Sequence, residues 1–113
     1  MPGLFLRLDI SPTLKIGPGK AALLEAIGQF GSISAAGRHL KMSYARAWKL
    51  VEELNAGLGQ PVVSTASGGA RGGGAQLTQA GIAVLDAYRA LQSECAAAAV
   101  RATARITYLN HPD

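Results

Sequence analysis

Between residues 33 and 58 two segments with helical apolar spacing stand only three residues apart, and that short connection restricts how they can pack. The first turns Ile33, Ala36 and Leu40 inward, with Ser32 or Ser34 available as its N-cap. The second opens on Ser43 as N-cap, carries Ala47, Val51, Leu54 and Leu58 on one face, and is closed by Gly57 and Gly59. Lys41-Met42-Ser43 is the turn between them. A turn this tight sets two helices at a steep angle, so the second projects from the body and can enter a major groove. Its exposed N-terminal part offers Ser43, Tyr44, Arg46 and Lys49, with Arg38 and Lys41 just ahead of them. Arginine and lysine reach guanine acceptors or phosphates, and hydroxyls bond phosphates. Trp48 lies at the edge of this face, and spacing alone does not decide between core and contact. The same pattern also fits solvated positions on an ordinary helical hairpin.

A β-branched run, PVVSTA, follows directly. Next comes SGGARGGG, which has no side chain able to build a core; residues 75–78 then return as the second strand of a hairpin. Glycines let a loop lie close to a phosphate backbone, and Arg71 at the tip supplies charge. The plainer reading is a flexible turn with an incidental arginine. From residue 38 to residue 71 five cations (Arg38, Lys41, Arg46, Lys49, Arg71) face two acids, Glu52 and Glu53, so the chain's basic excess of +4 concentrates here.

Thr78 caps a final helix expected over residues 79–108. Gly81, Val84, Tyr88, Leu91, Cys95, Ala98 and Ala102 alternate steps of three and four, the period of a coiled-coil seam. A helix of about 30 residues extends roughly 45 Å, longer than a small body can cover. Val84, Tyr88, Leu91, Cys95, Ala98 and Ala102 are therefore the expected dimerisation positions; beyond residue 91 above all the seam is expected to meet a second copy, with Cys95, Ala98 and Ala102 small enough for close approach. A single Ala-rich helix folded back on its own body is the alternative.

At the other end, Leu4, Leu6, Leu8 and Ile10 share one side of a period-two run that reads as a strand, ended by Ser11-Pro12-Thr13. LKIG forms a short second strand or an extended connection. Pro18 then opens a helix to Phe30 with Ala22, Leu23, Ala26, Ile27 and Phe30 as its stripe, stopped by Gly31.

Composition narrows the function classes. With 113 residues, 49% apolar and 16% charged, the chain has material for one core and no disordered character. Cys95 is its only cysteine, which excludes an internal disulfide framework and a cysteine-based zinc site. No secretory signal opens it, and no apolar run nears the roughly 20 residues that cross a bilayer, so a cytoplasmic protein is expected. GPGKAA lacks phosphate-loop spacing, because Ala21 follows Lys20. His39 and His111 are too isolated for a metal site, and no Ser/His/Asp set or acidic pair has catalytic spacing. Neither an enzyme nor a cofactor is expected.

The segment GSISAAGRHLKMSYARAWKLVEELN, followed by SGGARGGGAQLTQAG, resembles the N-terminal DNA-binding domain of the molybdate-responsive ModE-type regulators. GSIS-A, then MSY-x-x-AW, then a Gly-rich run ending LT-x-x-G is the specific combination, and it covers residues 17–91. The resemblance implies a winged helix-turn-helix with an N-terminal strand and a long dimerising helix. It places Ser43, Tyr44, Arg46 and Lys49 on the recognition helix and Arg71 on the wing. LysR-type regulators show a related pattern; they usually carry a large effector domain, and their wing lacks this glycine run. ModE-type proteins bind molybdate in C-terminal β-barrel domains, which are not expected in a chain ending at Asp113. Here only backbone amides of the glycine loop could meet an oxyanion, and these suit phosphate. Molybdate binding is therefore not carried over.

The reading is mainly α with a small β component, in the order β–α–α–α–β–β–α, as one domain over residues 1–113. It has a recognition helix at 43–58, a wing at 61–78 and a dimerisation helix at 79–108. The expected partners are double-stranded DNA and a second copy of the chain, in a sequence-specific regulator acting as a repressor. Two alternatives stand beside it: a protein-interaction module that pairs with a longer regulator, and a non-specific architectural DNA binder.

Overall fold

Two β-hairpins flank a three-helix body, and a long helix leaves it. The computed structural model describes residues 3–66 and 73–110. Its elements are β1 (Leu8–Ser11), β2 (Leu14–Ile16), α1 (Pro18–Phe30), α2 (Ile33–His39), α3 (Tyr44–Leu58), β3 (Val63–Ala66), β4 (Gly74–Leu77) and α4 (Gln79–Asn110). LKIG is thus a strand, antiparallel to β1, and β3 pairs antiparallel with β4.

The N-terminal strand is shorter than its alternation predicts. Only residues 8–11 pair, and the register shifts between Asp9 and Ser11, so Ile10 falls at the irregularity and the two-residue period breaks there. Leu6 and Leu8 pack against the core, whereas Leu4 and Ile10, expected inward, are 46% and 51% exposed. Leu14 and Ile16 of β2 supply the buried face instead.

Helix α1 sits at the centre, touching α2, α3, α4, β2 and β4. A helix surrounded on several sides needs a front wider than one stripe. Ala21 and Leu24 are accordingly buried alongside Leu23, Ala26 and Ile27. Phe30, read as part of the stripe, is 40% exposed and meets the His39 ring in a tilted contact with centroids 4.7 Å apart. Gly31 ends α1 in the left-handed conformation (φ 76°), its N–H donating to Ile27 O.

Ser32 caps α2 by accepting from Ala35 N at 3.0 Å. The turn to α3 is a Schellman motif: Met42 N donates to Gly37 O and Lys41 N to Arg38 O. Lys41 takes the left-handed position (φ 60°) that glycine usually fills. Gly37 is buried where α2 meets α3; a Cβ there would make ordinary contacts, 3.4 Å from Met42 O and 3.5 Å from the Ala47 Cβ. Ser43 caps α3, accepting from Arg46 N at 3.1 Å.

The base of the β3–β4 hairpin is tied to α4. Thr78 N donates to Val62 O at 3.0 Å, and its hydroxyl donates to Pro61 O at 2.7 Å while accepting from Gly81 N at 3.1 Å. The first turns of α4 then lie on the body. Gly81 and Tyr88 are buried, Val84 and Leu85 pack against the core, and Arg89 pairs with Glu25 of α1 at 3.1 Å. Tyr88 is 1% exposed and donates its hydroxyl to Leu6 O at 2.7 Å. Tyr88, expected among the dimerisation positions, therefore belongs to the protomer's own core, and Val84 packs half-buried against that core. Their three-and-four spacing serves packing against α1 and the N-terminal arm. Past Gln92 the helix runs clear, which stretches the molecule to 67 Å against 27 and 21 Å across. Among the described residues no helix is long and apolar enough to cross a membrane.

Candidate nucleic-acid interface

Burial divides α3 lengthwise. Ala47, Val51 and Leu54 face the core, while Ser43, Tyr44, Arg46 and Lys49 are exposed at its N-terminal end. Arg46 and Lys49 stand three positions apart and so share a helix face. Arg38 on α2 and Lys41 in the turn are exposed beside the same end. The tight turn thus brings all six helix and turn candidates to one end of the body.

The chemistry there is cationic and uncompensated. The ion pairs among the described residues are Arg7–Asp9, Lys20–Glu53 and Arg89–Glu25, and none involves Arg38, Lys41, Arg46 or Lys49. Glu53, one of two acids on α3, lies one turn beyond Lys49 on the same side of the helix, and its carboxylate is held by Lys20 at 3.2 Å. Arg38 donates to Ser34 Oγ at 2.7 Å, which spreads its guanidinium along α2 without neutralising it. The Ser43 hydroxyl spends its acceptor on capping α3 and keeps its proton to donate.

Trp48, which spacing left open, is half-buried against the core and meets Tyr44 edge-on at 6.2 Å between ring centroids. It is a link between the core, against which it is half-buried, and the exposed Tyr44 ring. Arg71 lies outside the described residues. The strands that carry its loop are in place, with Val63 opposite Leu77 and Ala66 opposite Gly74.

A helix, tight turn, exposed helix and hairpin in this order define a winged helix-turn-helix. The model of the family described as bacterial regulatory helix-turn-helix protein, LysR family, matches residues 20–82. The chain belongs to this family. It is a family of regulators rather than of enzymes. The chain is also 48% identical over 79 residues to the molybdenum-pterin-binding protein MopB of Rhodobacter capsulatus, covering 70% of this chain and 29% of that protein. It is 33% identical over 108 residues to the molybdenum transport protein ModE of Azotobacter vinelandii, covering 96% of this chain and 40% of that one. The chain thus spans well under half the length of these relatives. The resemblance to ModE-type regulators is borne out by them. The fold is also that of the DNA-binding domain of CbnR in its DNA complex, with TM-score 0.60 at 24% identity over 76% of this chain and 93% of that one.

Sequence reasoning missed Asn55, whose amide holds the hairpin to α3. No periodic signal marks it, because its partners lie seven and eight residues away on another element.

Proposed function

We propose that the protein is a dimeric, sequence-specific DNA-binding regulator of transcription that acts by occluding a promoter. The observation that carries this reading is the unpaired cationic group Arg38, Lys41, Arg46 and Lys49 on the turn and leading end of α3. In it, α3 reads bases in the major groove, Ser43 and Tyr44 bond phosphates, and Arg71 on the wing grips the backbone. The cations set the on-rate and affinity; the side chains on the outer face of α3 set specificity.

Fluorescence anisotropy tests this on a duplex selected from random sequences and on its scrambled form. Arg46→Ala or Lys49→Ala is expected to cost about 1–3 kcal/mol on the selected duplex where that residue makes a bidentate base contact. Arg71→Ala is expected to weaken both duplexes evenly. Equal losses on both duplexes for Arg46 and Lys49 would overturn base reading. Steep salt dependence with one affinity for every duplex would mark an architectural binder instead.

The dimer is carried by the part of α4 beyond the body. With Val84 and Tyr88 removed from the seam, Leu91, Cys95, Ala98 and Ala102 remain as its close-approach positions, and Val100, Ile106 and Leu109 are exposed along the same stretch. A two-fold pair would present two α3 helices to half-sites about 34 Å apart. Ala98→Arg places a long charged side chain where backbones must approach. It is expected to halve the mass seen by light scattering while leaving the thermal transition of the body in place. An unchanged mass would remove α4 from the dimer contact.

A further inference from the structure

The wing is fastened along both outer edges, each by a different part of the helix-turn-helix. Because Thr78 N bonds to Val62 O, residue 62 pairs across the hairpin. By antiparallel alternation the next residue, Val63, aims its N–H and C=O away from β4. Asn55, half-buried on the C-terminal half of α3, meets both: Oδ1 accepts from Val63 N at 3.2 Å and Nδ2 donates to Val63 O at 3.4 Å. Its Oδ1 also accepts from Val62 N at 2.8 Å. The side-chain amide therefore fills the place of a peptide group from a third strand. On the other edge Ala75 N donates to Gly31 O at 2.9 Å, in the turn that precedes α2.

The residue type follows from this geometry. Val62 and Val63 are 0% and 3% exposed, so water cannot replace a lost partner for their N–H groups. A carboxylate could accept both N–H bonds but could not donate to Val63 O. Serine is too short to span both, and an aliphatic side chain offers nothing. Only a planar group with acceptor and donor side by side matches an open strand edge.

We infer that Asn55 is a positioning residue that sets the angle between the wing and α3, so that DNA binding by both elements depends on an amide turned into the molecule. The inference rests on the DNA-binding reading above. Its chemistry is nonetheless separate from the cationic group, since Asn55 carries no charge and sits on the half of α3 away from Arg46 and Lys49.

Asn55→Ala in the full chain tests it by two readouts. Amide hydrogen exchange in the free protein is expected to quicken by about tenfold or more at Val62, Val63 and the β3 amides, with Leu24 and Val51 unchanged. Affinity for the selected duplex is expected to fall by about tenfold, beyond any fall seen at a temperature where both proteins are fully folded. Wing amides that exchange at the parent rate, or an affinity within about twofold of the parent, would overturn the inference. Should the alanine variant not fold, Asn55→Asp keeps the acceptor for Val62 and Val63. Their amides then stay protected while exchange over the rest of β3 rises; parental exchange throughout β3 would overturn the inference. If the parent itself binds no duplex, the regulator reading fails, and amide exchange still decides whether Asn55 holds the wing.

Discussion

Tyr88→Ala is expected to cost about 3–5 kcal/mol of stability, as for other large aromatic side chains removed from a core. Two observations set this size. The ring is 1% exposed where α4 crosses the body, and the hydroxyl donates to Leu6 O at 2.7 Å across 82 residues of chain. Alanine leaves a cavity under α4 and strips Leu6 of its donor, freeing the N-terminal arm. Tyr88→Phe separates the two contributions: it keeps the ring and is expected to cost about 1 kcal/mol for the lost hydrogen bond. Urea unfolding at fixed protein concentration reads both variants, since the apparent stability of any self-associating chain depends on concentration. A loss below about 1 kcal/mol for the alanine variant would show that α4 is not seated on the body as described. The same pair tells core from seam. If Tyr88 instead faced a second copy, Tyr88→Ala would lower the mass in solution before it lowered the unfolding midpoint.

Tyr88 also shows where sequence stops being informative. A spacing of three and four residues runs without interruption from Gly81 to Ala102, yet its first turns bury against α1 and its later turns meet nothing in the protomer. Periodicity reports that a face is covered; it does not say by what. What could be read was local. Pro18 and Gly31 bound α1, and the Ser43 and Thr78 hydroxyls cap the helices that follow them, because each acts within four residues of itself. Arg46 and Lys49 were legible as exposed because Ala47, Val51 and Leu54 fix the opposite face. Long-range features were not legible. The burial of Leu24 depends on how many elements surround α1, and the role of Asn55 depends on a strand edge that exists only once the hairpin has docked. Ile10 failed for a different reason: a register irregularity two residues before the proline broke the alternation there, and Leu4 failed because it lies ahead of the residues that pair.

Gly81→Ala is expected to destabilise the protein by about 3 kcal/mol, although alanine is the better helix former by about 1 kcal/mol. The two effects oppose, and contact decides between them. A Cβ at Gly81 would run into the Val62 carbonyl, which is backbone and cannot swing aside, and would stand 3.4 Å from the Leu77 Cβ. That carbonyl already accepts from Thr78 N, so moving it breaks the tie between the wing and α4. Gly28→Ala is the control. It lies inside α1, where an added Cβ meets only the flexible Leu77 side chain at 3.6 Å, so the propensity gain prevails and stability should rise by about 0.5–1 kcal/mol. Thermal melts of the two variants should therefore move in opposite directions, and a stabilising Gly81→Ala would refute the close approach of α4 to the wing base. The consequence extends past stability. The first turn of α4 fixes the direction in which the long helix leaves the body, and in a two-fold dimer that direction sets the separation of the two α3 helices. A Gly81→Ala protein held folded at low temperature should consequently bind a single half-site nearly as the parent does and lose affinity for the paired site. Equal loss on both would place the defect in the wing rather than in the helix direction.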